Sequence, residues 1–97
     1  MVQTLVSFLI PSGGQKIVFE KPRSLRRIFV SIIVLAGDSV WRQSRISFDD
    51  PTFASYYILD GQFKHFEIKG AEMFQGDIWV RNSSGIDLDY TATEILA

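Results

Sequence analysis

His65 is the only histidine of the chain, and there is no cysteine. An imidazole can act as a general base when a nucleophile lies within hydrogen-bond reach. Lys64 and Phe66 flank His65, and nothing near it looks like a nucleophile, so it reads as a surface histidine. Without cysteine, thiol catalysis, disulfides and thiolate metal sites are excluded. The chain contains no G-x-S-x-G, no G-x-x-x-x-G-K and no H-E-x-x-H, the patterns that place a serine nucleophile, a phosphate cradle or a zinc ion. Two acidic pairs remain. Asp49-Asp50 precedes Pro51, and Asp87 and Asp89 project from one face of one strand. Either pair could ligate Ca²⁺ with oxygens from elsewhere or supply a glycosidase carboxylate. Loop aspartates usually make turn hydrogen bonds, and alternating aspartates usually mark a solvated face. The expectation is a protein that is not an enzyme, with no cofactor and no metal.

The candidates for binding are aromatic and basic. Lys21, Arg23, Arg26 and Arg27 form a basic cluster whose nearest ring is Phe29. It lacks the aromatic platform on which single-stranded nucleic acid stacks, and a net charge of −1 is wrong for a general nucleic-acid binder. A protein contact or a solvated turn fits it better. Trp41, Tyr56, Tyr57 and Trp79 could line a sugar-binding face, or could anchor a core and an interface, where Trp, Tyr and Arg concentrate. The candidate interface residues are thus Arg26, Arg27, Phe29, Trp41, Tyr56, Tyr57 and Trp79. Asn82-Ser83-Ser84 matches the N-glycosylation pattern, as many turns do.

These residues must be positioned by strands. The dominant hydrophobic period is two, and no ten-residue window carries a capped helical stripe; at most Gly70-Ala71-Glu72-Met73-Phe74 makes one helical turn. About eight strands are expected: Thr4 to Ile10, Lys16 to Glu20, Arg26 to Ala36, Val40 to Phe48, Phe53 to Leu59, Gln62 to Lys69, Asp77 to Asn82 and Ile86 to Ile95. The cluster Pro11-Ser12-Gly13-Gly14 supplies a turn with the positive φ that glycine adopts cheaply. Asp60-Gly61 is the strongest short hairpin signal. The run Ile28 to Leu35 is apolar on both faces, so its strand should be central and covered on both sides, or lie at a subunit contact. Val40 to Phe48 is mostly polar and should run near an edge. In the last strand Ile86, Leu88, Tyr90 and Ala92 should point inward. Short strands joined by polar turns describe an all-β fold, a single antiparallel β-sandwich or jelly roll, filling residues 1–97 as one domain.

Composition bears on how such a domain works. Eight Phe, three Tyr and two Trp are many rings for a 97-residue core, which favours an oligomer or a docked subunit over a free monomer. Residues 1–48 carry seven basic and two acidic side chains, and residues 49–97 three and nine. The charges either mix within one sandwich or form two opposed faces that dock head-to-tail. The N-terminus lacks the basic n-region and cleavage site of a signal peptide. The longest apolar run is about half a transmembrane span. A soluble, cytoplasmically assembled protein is expected, with neither nucleic acid nor membrane as partner.

The segment Phe74-Gln75-Gly76-Asp77-Ile78-Trp79-Val80-Arg81-Asn82-Ser83-Ser84, followed by Leu88-Asp89-Tyr90-Thr91-Ala92-Thr93-Glu94-Ile95, resembles the ending of small β-sandwich virion proteins of bacteriophages. There a G-x-(I/L)-W-(V/I)-x-N strand and a closing T-A-T-E-I strand flank a Ser-rich turn. The opening Ile10-Pro11-Ser12-Gly13-Gly14 is similar to theirs too. The resemblance implies a capsid decoration, cement or fibre-associated subunit located in the virion, often oligomeric, with itself or a larger protein shell as partner. It carries over no functional residue, because such proteins work by surface complementarity. The alternative from the aromatic residues is a carbohydrate-binding, lectin-like module with a glycan as partner.

Overall fold

The alternation of Leu88, Tyr90 and Ala92 with Asp89, Thr91 and Thr93 passes directly into the fold: the first three are buried and Asp89 is exposed. The computed structural model describes residues 1–35, 43–60, 65–69 and 75–97, with only the backbone path for residues 60 and 65–69. Every regular element among them is a strand, and none is a helix. The strands are β1 (Val2–Ile10), β2 (Gln15–Phe19), β3 (Arg27–Leu35), β4 (Gln43–Phe48), β5 (Tyr57–Asp60), β6 (His65–Lys69), β7 (Ile78–Asn82) and β8 (Leu88–Leu96). The expected helical turn at 70–74 lies outside the described residues, as does Trp41.

Two antiparallel sheets result, the first ordered β1-β8-β3-β6 and the second β2-β7-β4-β5. The pairs β1–β8, β2–β7, β3–β6 and β4–β5 nest like one long hairpin ribbon. The ribbon closes on itself through β8–β3 and β7–β4. Both halves of the chain contribute to both sheets, so the basic and acidic halves interleave. The expected turn at residues 11–14 is present. Gly13 has φ 77, Gly14 donates to the Pro11 carbonyl at 2.9 Å, and Gly13 and Gly14 exchange backbone bonds with Asn82.

Several boundaries and placements differ from expectation. Asp60-Gly61 does not join a hairpin, because β5 belongs to the second sheet and β6 to the first. Phe53 is not in a strand. It sits in the β4–β5 loop with φ 57 and only 4% exposure. Ile86 precedes β8 and is exposed. Strand β4 does run near an edge as expected, between β7 and the edge strand β5. Its serines are buried because the sandwich gives each hydroxyl a partner: Ser44 meets Tyr90, and Ser47 donates to the Asp50 carbonyl at 2.7 Å.

Ile10, Phe19, Val30, Ile32, Val34, Ile46, Leu59, Ile78, Val80, Leu88, Tyr90 and Ala92 form the core, drawn from both sheets. Tyr90 of the first sheet stacks on Phe8 with centroids 5.3 Å apart and shares a 2.6 Å hydrogen bond with Ser44 of the second. Burial pushes its phenol up to about 12, against a smaller opposing effect of the Ser44 hydroxyl. In the unfolded chain the phenol ionises near 10. Stability from Tyr90 is therefore complete below pH 10 and drains away as pH rises towards 12. The loss is about 2–3 kcal/mol by pH 12, at about 1.4 kcal/mol per pKa unit. Denaturant titrations above pH 9 will show a steeper decline for the native chain than for Tyr90→Phe. Equal slopes would remove Tyr90 as the source.

Candidate functional site

Arg27 opens β3 and was expected on a contact surface; it is instead 2% exposed. Its Nε donates to Glu94 Oε2 at 2.8 Å, Nη1 to the Gly76 carbonyl at 2.7 Å and Nη2 to the Glu20 carbonyl at 3.2 Å. The Gln75 side chain also completes the Arg27 backbone: Oε1 accepts from its N–H at 2.8 Å and Nε2 donates to its carbonyl at 2.7 Å. A guanidinium can be buried when its donors are matched in this way. The sequence could not announce this, since Glu94 lies sixty-seven positions away. Neighbouring Arg26 is exposed and trades backbone bonds with Ala97. Phe29 is half-buried, with its side chain on the outer face of the first sheet.

The acidic pairs are turn and loop devices. Asp50 accepts from Thr52 N–H, the Thr52 hydroxyl, Ala54 N–H and Ser55 N–H. The Thr52 hydroxyl is the main cause of a carboxyl held below its usual range, reinforced by the backbone donors and partly offset by desolvation. Asp49, with φ 58, turns away from Asp50, and its Oδ1 accepts from Asp77 N–H at 2.8 Å. Its carboxylate lies so close to Gly76 that any Cβ there would collide with it, which accounts for the glycine in the Gly76-Asp77-Ile78-Trp79 motif. Asp87 accepts from Ser12 N–H at 3.0 Å, while Asp89 stands apart and exposed. Among the described residues no group of three His, Cys, Asp or Glu side chains is placed to hold a metal ion. An open groove lined by Ile17, Glu20, Lys21, Pro22, Arg23 and Asp77 holds part of the basic cluster. There Lys21 N–H already occupies an Asp77 oxygen at 2.7 Å.

Asn82 is fully buried at the end of β7. Its Nδ2 donates to the carbonyls of Ile10 and Ile86, and its Oδ1 accepts from the Ser84 backbone and hydroxyl. Both amide hydrogens are committed, so the glycosylation pattern is a structural joint in the folded chain.

Of the aromatic candidates Tyr56, Tyr57 and Trp79 are described, and each meets a different neighbour. Tyr56 lies under the Arg45 guanidinium, 4.5 Å from ring centre to Cζ, and Tyr57 meets Phe48 edge-on. Trp79 sits mid-sheet, opposite Ile17 on one side and Ser47 on the other, and is half-buried.

The sequence did not single out what lies on the two outer faces. On the first sheet Leu5, Leu9 and Leu35 are 65%, 54% and 45% exposed. They frame the half-buried Phe29, Ile33 and Ile95 and the Thr91–Thr93 row. Among the described residues the core covers β3 on one side; on the other Ser31 is also buried, Phe29 and Ile33 are half-buried and Leu35 is exposed. On the second sheet Arg45 and Arg81 are direct cross-strand partners. Arg81 lies over the Phe53 ring at 4.2 Å and donates from Nε and Nη2 to Gln15 Oε1. Among the described residues no helix is long and apolar enough to cross a membrane. No protein-family model matches this chain, and no curated protein does.

Proposed function

We propose that this protein is a non-enzymatic structural subunit that assembles with copies of itself, of the virion decoration, cement or fibre-associated kind that its closing strands resemble. The observation that carries the reading is the outer face of β1-β8-β3-β6. A nine-residue strand apolar on both sides, β3, has a core on one side and Leu35, Ile33 and Phe29 facing out on the other. Leu5 and Leu9 of edge strand β1 extend the same surface. Scattered surface leucines need no explanation, but a contiguous patch on one sheet marks an interaction face.

The strand order supports the finer reading as a jelly roll. Nested antiparallel pairs split over two four-stranded sheets are the pattern of that fold, which viral capsid and lectin domains share. The described aromatic candidates pack against Arg45, Phe48 and the Ile17–Ser47 row in turn, which favours the assembly reading over the lectin alternative.

Sedimentation of the full chain across a wide concentration range tests the reading. The expected result is a discrete oligomer that Leu5→Gln with Leu35→Gln dissociates, while the thermal midpoint stays within a few degrees. Those side chains are exposed, and surface substitutions typically shift stability by less than about 0.5 kcal/mol. A monomer up to millimolar concentration, unchanged by the double substitution, would defeat it.

A further inference from the structure

Among the described residues, the outer face of the second sheet holds a pair of cations without a counter-charge. Arg45 and Arg81 stand directly opposite each other on β4 and β7, where like charges repel. Each guanidinium lies over a ring, Arg45 4.5 Å from the centre of Tyr56 and Arg81 4.2 Å from that of Phe53, which favours the cation. Arg81 spends two donors on the neutral Gln15 amide. Arg45 has no hydrogen-bond acceptor among the described residues, and its Nε is buried without a partner. Among the described residues neither cation forms an ion pair with a carboxylate. Ile58, 52% exposed, pairs with Arg45 and borders the site.

The first sheet holds the complement. Asp89 is exposed on the outer face near one end of β8, with Leu9 opposite it on β1 and Leu35 opposite it on β3. Unlike Asp87, which is committed to Ser12, it makes no hydrogen bond among the described residues. A carboxylate between two exposed leucines can be covered only by a partner that brings positive charge, since burying it unpaired is costly. A pair of guanidiniums with an apolar border supplies both needs.

We propose that Arg45 and Arg81 receive the Asp89 carboxylate of a second copy of this chain, with Leu9 and Leu35 of that copy seated against Ile58 and Tyr56. The faces lie on opposite sides of the sandwich, so the contact is head-to-tail and continues into a ring or a filament. This inference rests on the self-assembly reading and names its interface.

Complementary variants test it by sedimentation and light scattering. Asp89→Lys keeps the arginine face; Arg45→Glu with Arg81→Glu keeps the aspartate face. Each alone is expected to be monomeric, and the two mixed to assemble again, because one contact keeps the native charges and the other has them reversed in sign but still complementary. A native chain that assembles while Asp89→Lys and the isosteric Asp89→Asn assemble equally well overturns the inference and leaves the assembly reading standing. A native chain that stays monomeric overturns both. If the double arginine variant fails to fold, as judged by circular dichroism, Asp89→Asn decides. A fall in association of tenfold or more, with native salt sensitivity lost, supports the contact, and an unchanged constant refutes it.

Discussion

Replacing Arg27 by alanine is expected to destabilise the fold by about 3–5 kcal/mol, because it strands a buried carboxylate. Glu94 is 7% exposed, and Arg27 Nε is its 2.8 Å partner. The loss also frees the carbonyls of Gly76 and Glu20, which the guanidinium holds. A domain of this size has only about 5–15 kcal/mol in total, so the variant should stand near the edge of folding at 37 °C. Removing both charges should be far milder. Arg27→Met with Glu94→Leu keeps volume and leaves no unpaired ion, and such replacements of buried pairs are often neutral or stabilising. Guanidinium unfolding of the native chain, both single variants and the double variant gives the coupling energy. If Arg27→Ala costs less than about 1 kcal/mol, or the double variant is worse than the sum of the singles, this account of the pair is wrong. Arg23→Ala, which removes an exposed cation of the same basic cluster, should be close to neutral.

The second large effect is expected at Asn82. Alanine there removes four hydrogen bonds at once and takes the side-chain partner from the Ile10 carbonyl and the Ser84 N–H, while the Ile86 carbonyl keeps the Ser84 hydroxyl. Each stranded buried group costs roughly 1–3 kcal/mol, with water recovering part of it near the turn. A net loss of about 2–4 kcal/mol follows, or a fall in Tm of roughly 10–25 °C at about 4–8 °C per kcal/mol. Asp is nearly isosteric but accepts only, so Asn82→Asp should lose both Nδ2 bonds and resemble the alanine variant rather than the native chain. Ser83→Ala, at the next position, should change little. A melt of Asn82→Ala within a few degrees of the native chain would show that residues 82–86 are held by other contacts.

Both predictions concern residues whose importance the sequence shows only in outline. Arg27 was visible as part of a basic cluster, and Asn82 as part of a glycosylation pattern. What each does depends on partners seventy positions away in the chain, near Glu94 and Ile10. The segment from Gly76 to Asn82 gains a physical reading at two points. Gly76 leaves room for the Asp49 carboxylate, and Asn82 joins β7 to the end of β1.

The sequence by itself determined the fold class, the turn at residues 11–14 and the inward row Leu88, Tyr90 and Ala92. Those follow from local physics: a period of two, the positive φ of Gly13, and the burial of every second side chain. Only the tertiary structure decided which sheet each strand joins. It sent β5 and β6 to different sheets across Asp60-Gly61, and lifted Phe53 out of its strand to lie under Arg81. It also decided which charges are buried and which are presented, hiding Arg27 against Glu94 while leaving Arg45, Arg81 and Asp89 on opposite outer faces. Alternation states that a side chain points to one of two sides. Whether that side is core or surface is settled by the strands that pair with it, and those come from the far end of the chain.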